Sequence, residues 1–147
     1  MTNRRFLCAS PLYLKHSGTP ATLADLAHHR CIIHRQNDEA HGVWRFMRAG
    51  HAEVVKVEGG LSSNDGDIVL GWALDGHGIL VRSEWDLAKY LESGRLRVVL
   101  PEFTLPSADL FVYYPQRRNQ TARVRAFIDF LVEAFQPPSS TPAPQSA

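Results

Sequence analysis

Short apolar runs alternate with helix-like segments along this chain, and the alternation limits the folds that are open to it. The runs at 31–35 (CIIHR) and 78–82 (GILVR) have the length and composition of buried strands. Segments with helical signals lie at 65–75, 83–94 and 121–135. Strands that alternate with helices favour an α/β fold with an at least partly parallel sheet.

Local signals place the remaining elements. Residues 43–48 and 52–58 flank Ala49 and Gly50, and this pattern predicts a β-hairpin. A short helix is predicted from Thr22, where residues stand in capping-box spacing. Three more strands are predicted, at 5–10, 95–101 and 109–115.

The last helix and the end of the chain differ in composition. The helix 121–135 has apolar side chains at three- and four-residue spacing, namely Val124, Phe127, Ile128, Leu131 and Phe135. Residues 136–147 are rich in Pro and Ser and offer little apolar area to bury, so we predict a disordered tail there.

Charge and cysteine content argue against several classes of protein. The 16 Lys and Arg residues are nearly balanced by 15 Asp and Glu residues, so charge does not argue for binding to nucleic acid or membranes. Cys8 and Cys31 lie in apolar runs outside any CxxC pair, which predicts buried thiols. No apolar run approaches the ~18 residues of a membrane helix, and none near the start has the length of a signal peptide core. The chain is therefore expected to be cytoplasmic.

Catalytic and metal-binding patterns are weak. The sequence contains neither a G-x-S-x-G nucleophile elbow nor a G-x-x-x-x-G-K-[ST] phosphate loop. Asp65 and Asp67 are neighbouring carboxylates, but the amino end of a helix stabilises both without any chemistry. His28, His29 and His34 lack the spacing of a zinc site. The sequence thus predicts no enzyme, no metal and no cofactor.

A run of small polar residues stands directly before the helix 65–75, and it comprises Ser62, Ser63, Asn64, Asp65 and Gly66. Such residues are good helix caps. The first N–H groups of a helix are also unpaired and partly positive, so the run is a second-choice candidate site for a carboxylate or phosphate. Both interpretations stay open.

Four further residues are candidates for ligand binding. Ile33 and Arg35 lie on the predicted strand 31–35, and Arg35 is able to pair with a carboxylate, although a solvated arginine is the commoner case. Gly76 and Gly78 would let backbone approach a ligand, but a helix end and a tight turn are the commoner roles of such glycines.

Four blocks of the sequence together resemble one protein family. They are RRFLCASPLYL, SNDGDIVLGWALDGHGI, LESGRLRVVLPE and YYPQRRNQTARVRAFIDFL. In this order they are similar to the C-terminal part of the effector-binding domain of LysR-type transcriptional regulators, over about residues 4–135.

The resemblance implies a fold and a site. The fold would be an α/β lobe of the periplasmic-binding-protein type (type 2), with a mixed sheet flanked by helices and with a returning strand and C-terminal helix. Residues 1–135 would form a partial effector-binding domain, followed by the tail 136–147, and the DNA-binding winged helix-turn-helix would be absent. The polar run at 62–66 would lie in the cleft between two lobes and bind a small effector such as a carboxylate.

The implied function is to sense a small-molecule effector for a LysR-type regulator, here in truncated form. A homo-oligomer or a pairing with a regulator subunit is expected, with DNA contacted only through the absent domain. Two alternatives stay open. One is an interaction or dominant-negative module that pairs with intact regulators, and the other is a stand-alone small-ligand-binding protein.

Overall fold

The computed structural model describes residues 3–36, 42–109, 111–113 and 121–135. The chain divides into two compact units, one of Thr2–Ala108 and one that contains Asp109–Ala147. Each unit is described by itself. The predicted tail, 136–147, lies outside the described residues.

Among the described residues of the first unit, seven strands in two sheets form the framework. They are β1 (Arg5–Ala9), β2 (Cys31–His34), β3 (Val43–Arg48), β4 (His51–Lys56), β5 (Leu61–Ser63), β6 (Ile79–Ser83) and β7 (Arg97–Val98). The larger sheet has the order β5-β2-β6-β1-β7, and β3 pairs with β4 alone. Strands β5, β2 and β6 run parallel, whereas β1 is antiparallel to both β6 and β7. The predicted α/β fold with a mixed sheet is thereby confirmed.

Helices cover the larger sheet and create two cores. They are α1 (Pro11–Ser17), a 3₁₀ helix (Ala24–His28), α2 (Gly66–Leu74) and α3 (Glu84–Glu92). On one face, Ile32 and Leu80 pack against buried side chains of α2 and α3. On the other face, Ile33 and Val81 belong to a cluster that includes Phe46 of β3. No helix in the described part of the chain is both long and apolar enough to cross a membrane.

The hairpin of β3 and β4 forms where the sequence predicts it. Its turn residues, Ala49 and Gly50, have φ angles of 48° and 79°. Two positive φ angles match the twist that a two-residue hairpin turn requires. Met47 and Thr104 exchange backbone hydrogen bonds of 2.8 and 2.9 Å, which attach β3 to the segment around Thr104.

Two elements escaped prediction. Helix α1 begins at Pro11, where the sequence indicated only the end of a strand. The hydroxyl of Ser10 caps it by accepting a hydrogen bond from the Tyr13 N–H at 3.2 Å, and proline suits the first helical position. Strand β5 has only three residues, and it exists through pairing with β2 rather than through a pattern of its own.

The helix predicted from Thr22 is a short 3₁₀ helix, Ala24–His28. Two predicted strands also differ from expectation. The strand predicted at 95–101 shortens to β7. Leu100, within the predicted range, has a φ of 51°, and a strand cannot continue through a residue with a positive φ. The strand predicted at 109–115 is wrong at 109 and 111–113, which belong to no strand. No described strand pairs with this segment, and pairing is what stabilises a strand. Residues 110, 114 and 115 lie outside the described residues.

Both cysteines are buried, as predicted, and each belongs to a different core. Cys8 packs on the face covered by α2 and α3, whereas Cys31 packs on the opposite face. Burial raises the pKa of each thiol to about 12. Because the thiolate is the reactive form, both groups are expected to be inert in the folded protein.

We expect iodoacetamide to modify Cys8 and Cys31 at least about a hundredfold more slowly in native buffer than in the urea-unfolded chain. Mass spectrometry of timed samples measures both rates. The unfolded chain serves as the control because it contains the same two thiols. Fast modification of either thiol in native buffer would contradict its burial.

In the second unit the described residues include helix α4 (Ala122–Ala134), which begins where the sequence predicts. The hydroxyl of Thr121 caps α4 by accepting from the Val124 N–H. No residue of α4 is buried, and Phe127 and Phe130 are 60% and 62% exposed. The helix thus displays its apolar residues.

The two ends of the first unit lie side by side. The N–H of Ala108 donates to the carbonyl of Asn3 at 2.8 Å. Next to this pair, Arg4 forms a two-point salt bridge with Glu84, with distances of 2.9 Å from Nε to Oε2 and 2.6 Å from Nη2 to Oε1. The start of β1 is therefore tied to the start of α3.

Candidate functional site

The carboxyl ends of three parallel strands meet at one edge of the sheet. Strand β5 ends at Ser63, β2 at His34 and β6 at Ser83, and pairing aligns them in register. The N–H of Arg35 donates to the carbonyl of Ser63 at 2.8 Å, which extends the pairing of β2 and β5 by one hydrogen bond. Ligands of open α/β sheets bind outside such carboxyl ends.

A cleft of about 110 Å³ lies at this edge, between the sheet and the β3–β4 hairpin. Positive charge dominates its walls, because Arg5, Arg35 and Arg45 line it. No acidic residue is among the described residues that line it. Apolar walls come from Ile33, Val43, Trp44, Val81, Leu105 and Pro106. Such a cleft favours a small molecule that carries negative charge.

The polar run at 62–66 borders this edge, and part of it caps α2. The carboxylate of Asp65 accepts from the N–H groups of Asp67 and Ile68 at 2.8 and 3.2 Å. The hydroxyl of Ser63 accepts from the Asp65 N–H at 3.1 Å. Two of the N–H groups that could hold an anion are therefore occupied by a carboxylate of the chain itself.

A hydrogen-bonded group on the α2 side of the edge centres on Arg82. Its Nη1 lies 3.0 Å from Nδ1 of His34, and its Nη2 lies 3.1 Å from Oδ2 of Asp86. The hydroxyl of Ser83 donates to the same Asp86 oxygen at 2.7 Å. A guanidinium only donates, so Nδ1 of His34 accepts and carries no proton.

The pKa of His34 lies below the usual value for histidine. Burial of the ring is the main cause, and the positive charge of Arg82 adds to it, with a smaller effect from Arg5. A backbone hydrogen bond with Asn64 and the charge of Asp86 act in the opposite direction. Together these influences favour a neutral imidazole.

The structure groups most of the predicted site residues and separates two of them. Ile33 and Arg35 line the cleft, and the run 62–66 borders the same edge. Gly66 fits closely under Arg82, because a Cβ at Gly66 would overlap the guanidinium. Gly76 and Gly78 lie at the opposite end, where Gly78 precedes β6 by one residue.

Strand β6 separates Gly78 from Arg82 by four residues, or about 13 Å. Gly76 follows α2 and has a φ of 84°. It therefore ends the helix, as glycine in this position commonly does. Gly78 sits against the backbone of Arg30, and a Cβ there would lie 2.5 Å from the Arg30 carbonyl oxygen. Both glycines have structural roles away from the cleft.

Sequence reasoning missed Arg5, Arg45, Arg82 and His34 as members of this region. They come from β1, β3, β6 and β2, which are far apart in the sequence. A signal was present for His34 and Arg82, since each lies at the end of a predicted strand. Their contact depends on β2 pairing directly with β6, which local patterns do not reveal.

The sequence matches the LysR substrate binding domain over residues 1–136, and the chain belongs to this family. It is 43% identical over 129 residues to the HTH-type transcriptional activator TtdR of Escherichia coli (strain K12), a match that covers 88% of this chain and 41% of TtdR. The chain therefore spans about two fifths of the length of that relative.

One further relative and one solved structure also match the chain. The putative LysR family substrate binding domain-containing protein YagP of Escherichia coli (strain K12) is 35% identical over 106 residues, which cover 71% of this chain and 78% of YagP. The full-length structure of AphB, a virulence activator of Vibrio cholerae and a member of the LTTR protein family, matches with a TM-score of 0.80 and 24% identity. That match covers 92% of this chain and 46% of AphB, and it shows a shared fold.

Proposed function

We propose that this chain senses a small organic anion, such as a carboxylate, as the effector-binding part of a LysR-type transcriptional regulator. The observation that carries the proposal is the arginine-lined cleft at the carboxyl ends of the parallel strands. Arg35 and Arg45 form no salt bridge with the described residues, so both guanidinium groups are available to an anion.

Each part of the site has a role in this proposal. Arg35 pairs with the acidic group of the effector, and Ile33 contributes to the apolar wall beside it. Ser62, Ser63 and Asn64 offer hydrogen bonds from the neighbouring edge, while Asp65 and Gly66 shape the start of α2 and the seat of Arg82. The proposed contact set leaves out Gly76 and Gly78 because of their distance from the cleft.

The proposed mechanism is a population shift and involves no catalysis. An effector that binds one arrangement of the regulator better than another favours that arrangement. The change alters how regulator subunits pack in an oligomer and, through separate winged helices, how DNA is held. The relatives carry the names of transcriptional regulators, and a cytoplasmic location suits such a role. Residues 1–135 are proposed to supply only the effector-binding part.

The proposal is tested by amide NMR spectra of the whole chain with a pool of small aromatic and aliphatic carboxylates. We expect shifts at Ile33, Arg35 and residues 62–66. The double substitution Arg35→Ala and Arg45→Ala should weaken binding by at least about tenfold, because it removes two positive charges from the cleft.

A matched control is Arg95→Ala, which removes a positive charge outside the cleft, where Arg95 lies over the Tyr90 ring. This variant should bind the same carboxylates with unchanged affinity. If no carboxylate moves the amides of the cleft, or if the control weakens binding as much as the double variant, the proposed site is wrong.

The exposed helix α4 supports an alternative function as an interaction module. Phe127, Phe130 and Val132 are all more than half exposed, and apolar surface of this kind is typical of surfaces that bind protein. The module would pair with an intact regulator of the same family. Retention of full-length TtdR by the immobilised chain, with loss upon Phe127→Glu, would favour this alternative, whereas no retention would rule it out.

A further inference from the structure

Strand β3 has an outer edge, on the side away from β4, that borders the cleft. The N–H of Met47 donates to the Thr104 carbonyl, and the Met47 carbonyl accepts from the Thr104 N–H, so both groups of Met47 point away from β4. The direction of hydrogen bonding alternates along an antiparallel strand. Val43 and Arg45 therefore direct their backbone N–H and carbonyl groups to the same outer edge.

Pro106 leaves the backbone of Arg45 without a strand partner. Thr104 is antiparallel to Met47, so a continued ladder would place residue 106 opposite Arg45. Proline has no N–H to donate to the Arg45 carbonyl, and the pairing stops there. Among the described residues, none hydrogen-bonds with the N–H or the carbonyl of Arg45. One backbone donor and one backbone acceptor therefore stay open at the outer edge.

These open backbone groups face the cleft, because the residues on both sides of them, Arg45 and Pro106, line it. The guanidinium of Arg35 belongs to the same cleft, and Trp44 and Leu105 add apolar surface. One wall of the cleft thus combines a backbone donor and acceptor with positive charge. A ligand that fills the place opposite Arg45 can use all of these groups.

We propose that the backbone of Arg45 selects carboxylates that carry a hydrogen-bond donor on the carbon next to the carboxyl group, an inference that rests on the function proposed above. The donor of the ligand bonds to the Arg45 carbonyl, and one carboxylate oxygen accepts from the Arg45 N–H. This is the hydrogen bonding of a paired residue in an antiparallel sheet, which Pro106 cannot supply. The other carboxylate oxygen pairs with a guanidinium of the cleft, such as that of Arg35.

Two pairs of matched ligands test this inference on the wild-type protein. N-acetylalanine and its ester analogue O-acetyllactate have the same charge and nearly the same shape, but only the amide has an N–H to donate. Lactate and 2-fluoropropionate make the same comparison for a hydroxyl donor. Amide NMR titrations of the whole chain give the four dissociation constants. In at least one pair we expect the donor ligand to bind at least about threefold more tightly, the effect of one net hydrogen bond, and to shift the amide of Arg45.

Two substitutions of Arg45 separate its backbone from its side chain. Arg45→Ala removes the guanidinium alone, whereas Arg45→Pro also removes the N–H, which the pairing with β4 does not use. We expect Arg45→Pro to bind the preferred ligand at least about threefold more weakly than Arg45→Ala. Val54→Ala and Val54→Pro are the matched controls, because Val54 lies opposite Arg45 on β4 and directs its N–H to the far edge of the hairpin, outside the cleft. These two variants should bind alike.

The outcomes separate this inference from the proposed function. If the ligands shift the amides of Ile33 and Arg35 but neither pair shows a preference for the donor, the role of the Arg45 backbone is excluded and the anion site stands. The same holds if Arg45→Pro binds as tightly as Arg45→Ala. If no carboxylate shifts these amides, both proposals fail. The ligand comparison uses the wild-type protein, so it decides the matter even where a proline variant does not fold.

Discussion

Replacing Leu80 by alanine is expected to lower the free energy of unfolding of the first unit by about 3 kcal/mol. Leu80 is fully buried in β6, the strand between β2 and β1. Its side chain packs in the core beneath α2 and α3 with Ile32 and Leu87. Two costs add up in this loss. Three carbon atoms no longer contribute the free energy of transfer from water to the core, and a cavity is left where they were.

Urea unfolding followed by tryptophan fluorescence measures this loss. All three tryptophans of the chain, Trp44, Trp72 and Trp85, lie in the first unit. The midpoint should fall while the dependence of the free energy on urea stays constant. Ile68→Ala is the control, because Ile68 is 47% exposed on α2 and its truncation should cost less than about 1 kcal/mol. Equal losses for the two variants would contradict the core described here.

Gly78→Ala is expected to destabilise the same unit by about 2 kcal/mol. The new Cβ would lie 2.5 Å from the carbonyl oxygen of Arg30 and 3.1 Å from its carbonyl carbon. That oxygen also accepts from the Ile79 N–H at 2.9 Å, at the start of the pairing between β2 and β6. Relief of the overlap would move backbone apart and weaken this hydrogen bond.

Gly71→Ala provides the matched control for Gly78→Ala. Gly71 lies within α2, and nothing approaches within 4 Å of the position that its Cβ would take. Alanine there should stabilise the unit by about 0.5–1 kcal/mol, because glycine is a poor helix former. The two glycine substitutions therefore have opposite expected signs. A neutral or stabilising Gly78→Ala would show that β2 and β6 tolerate a wider separation.

The elements with complete local signals were predictable from the sequence. Helices α2 and α4 each have a capping residue and a recognisable start, and the hairpin has Ala49 and Gly50 between two strands of equal length. Helix α1 was missed although Ser10 and Pro11 form a common helix start. Strand β5 was missed and the strand predicted at 95–101 shortens to the two residues of β7, because such short strands gain their stability from partners distant in the sequence.

The site was predictable in part. The polar run at 62–66 and the strand that carries Ile33 and Arg35 do reach the same edge of the sheet, since parallel strands end together. The positive cleft could not be predicted, because Arg5 arrives on β1 and Arg45 on a separate hairpin. Likewise, the lowered pKa of His34 follows first from burial of its ring and then from the charge of Arg82, and both depend on the order of the strands.

The hydrogen bond between Ala108 and Asn3 brings the two ends of the first unit together, as insertion into another protein requires. A folded segment whose two ends adjoin can be inserted into a surface loop of another protein with little distortion of the host. The inserted segment would then be joined to its host by two neighbouring backbone connections, and rotation of the segment relative to the host would take place at these two connections. A fluorescent protein that carries residues 3–108 in a surface loop would then test whether the arginine-lined cleft binds an anion as proposed.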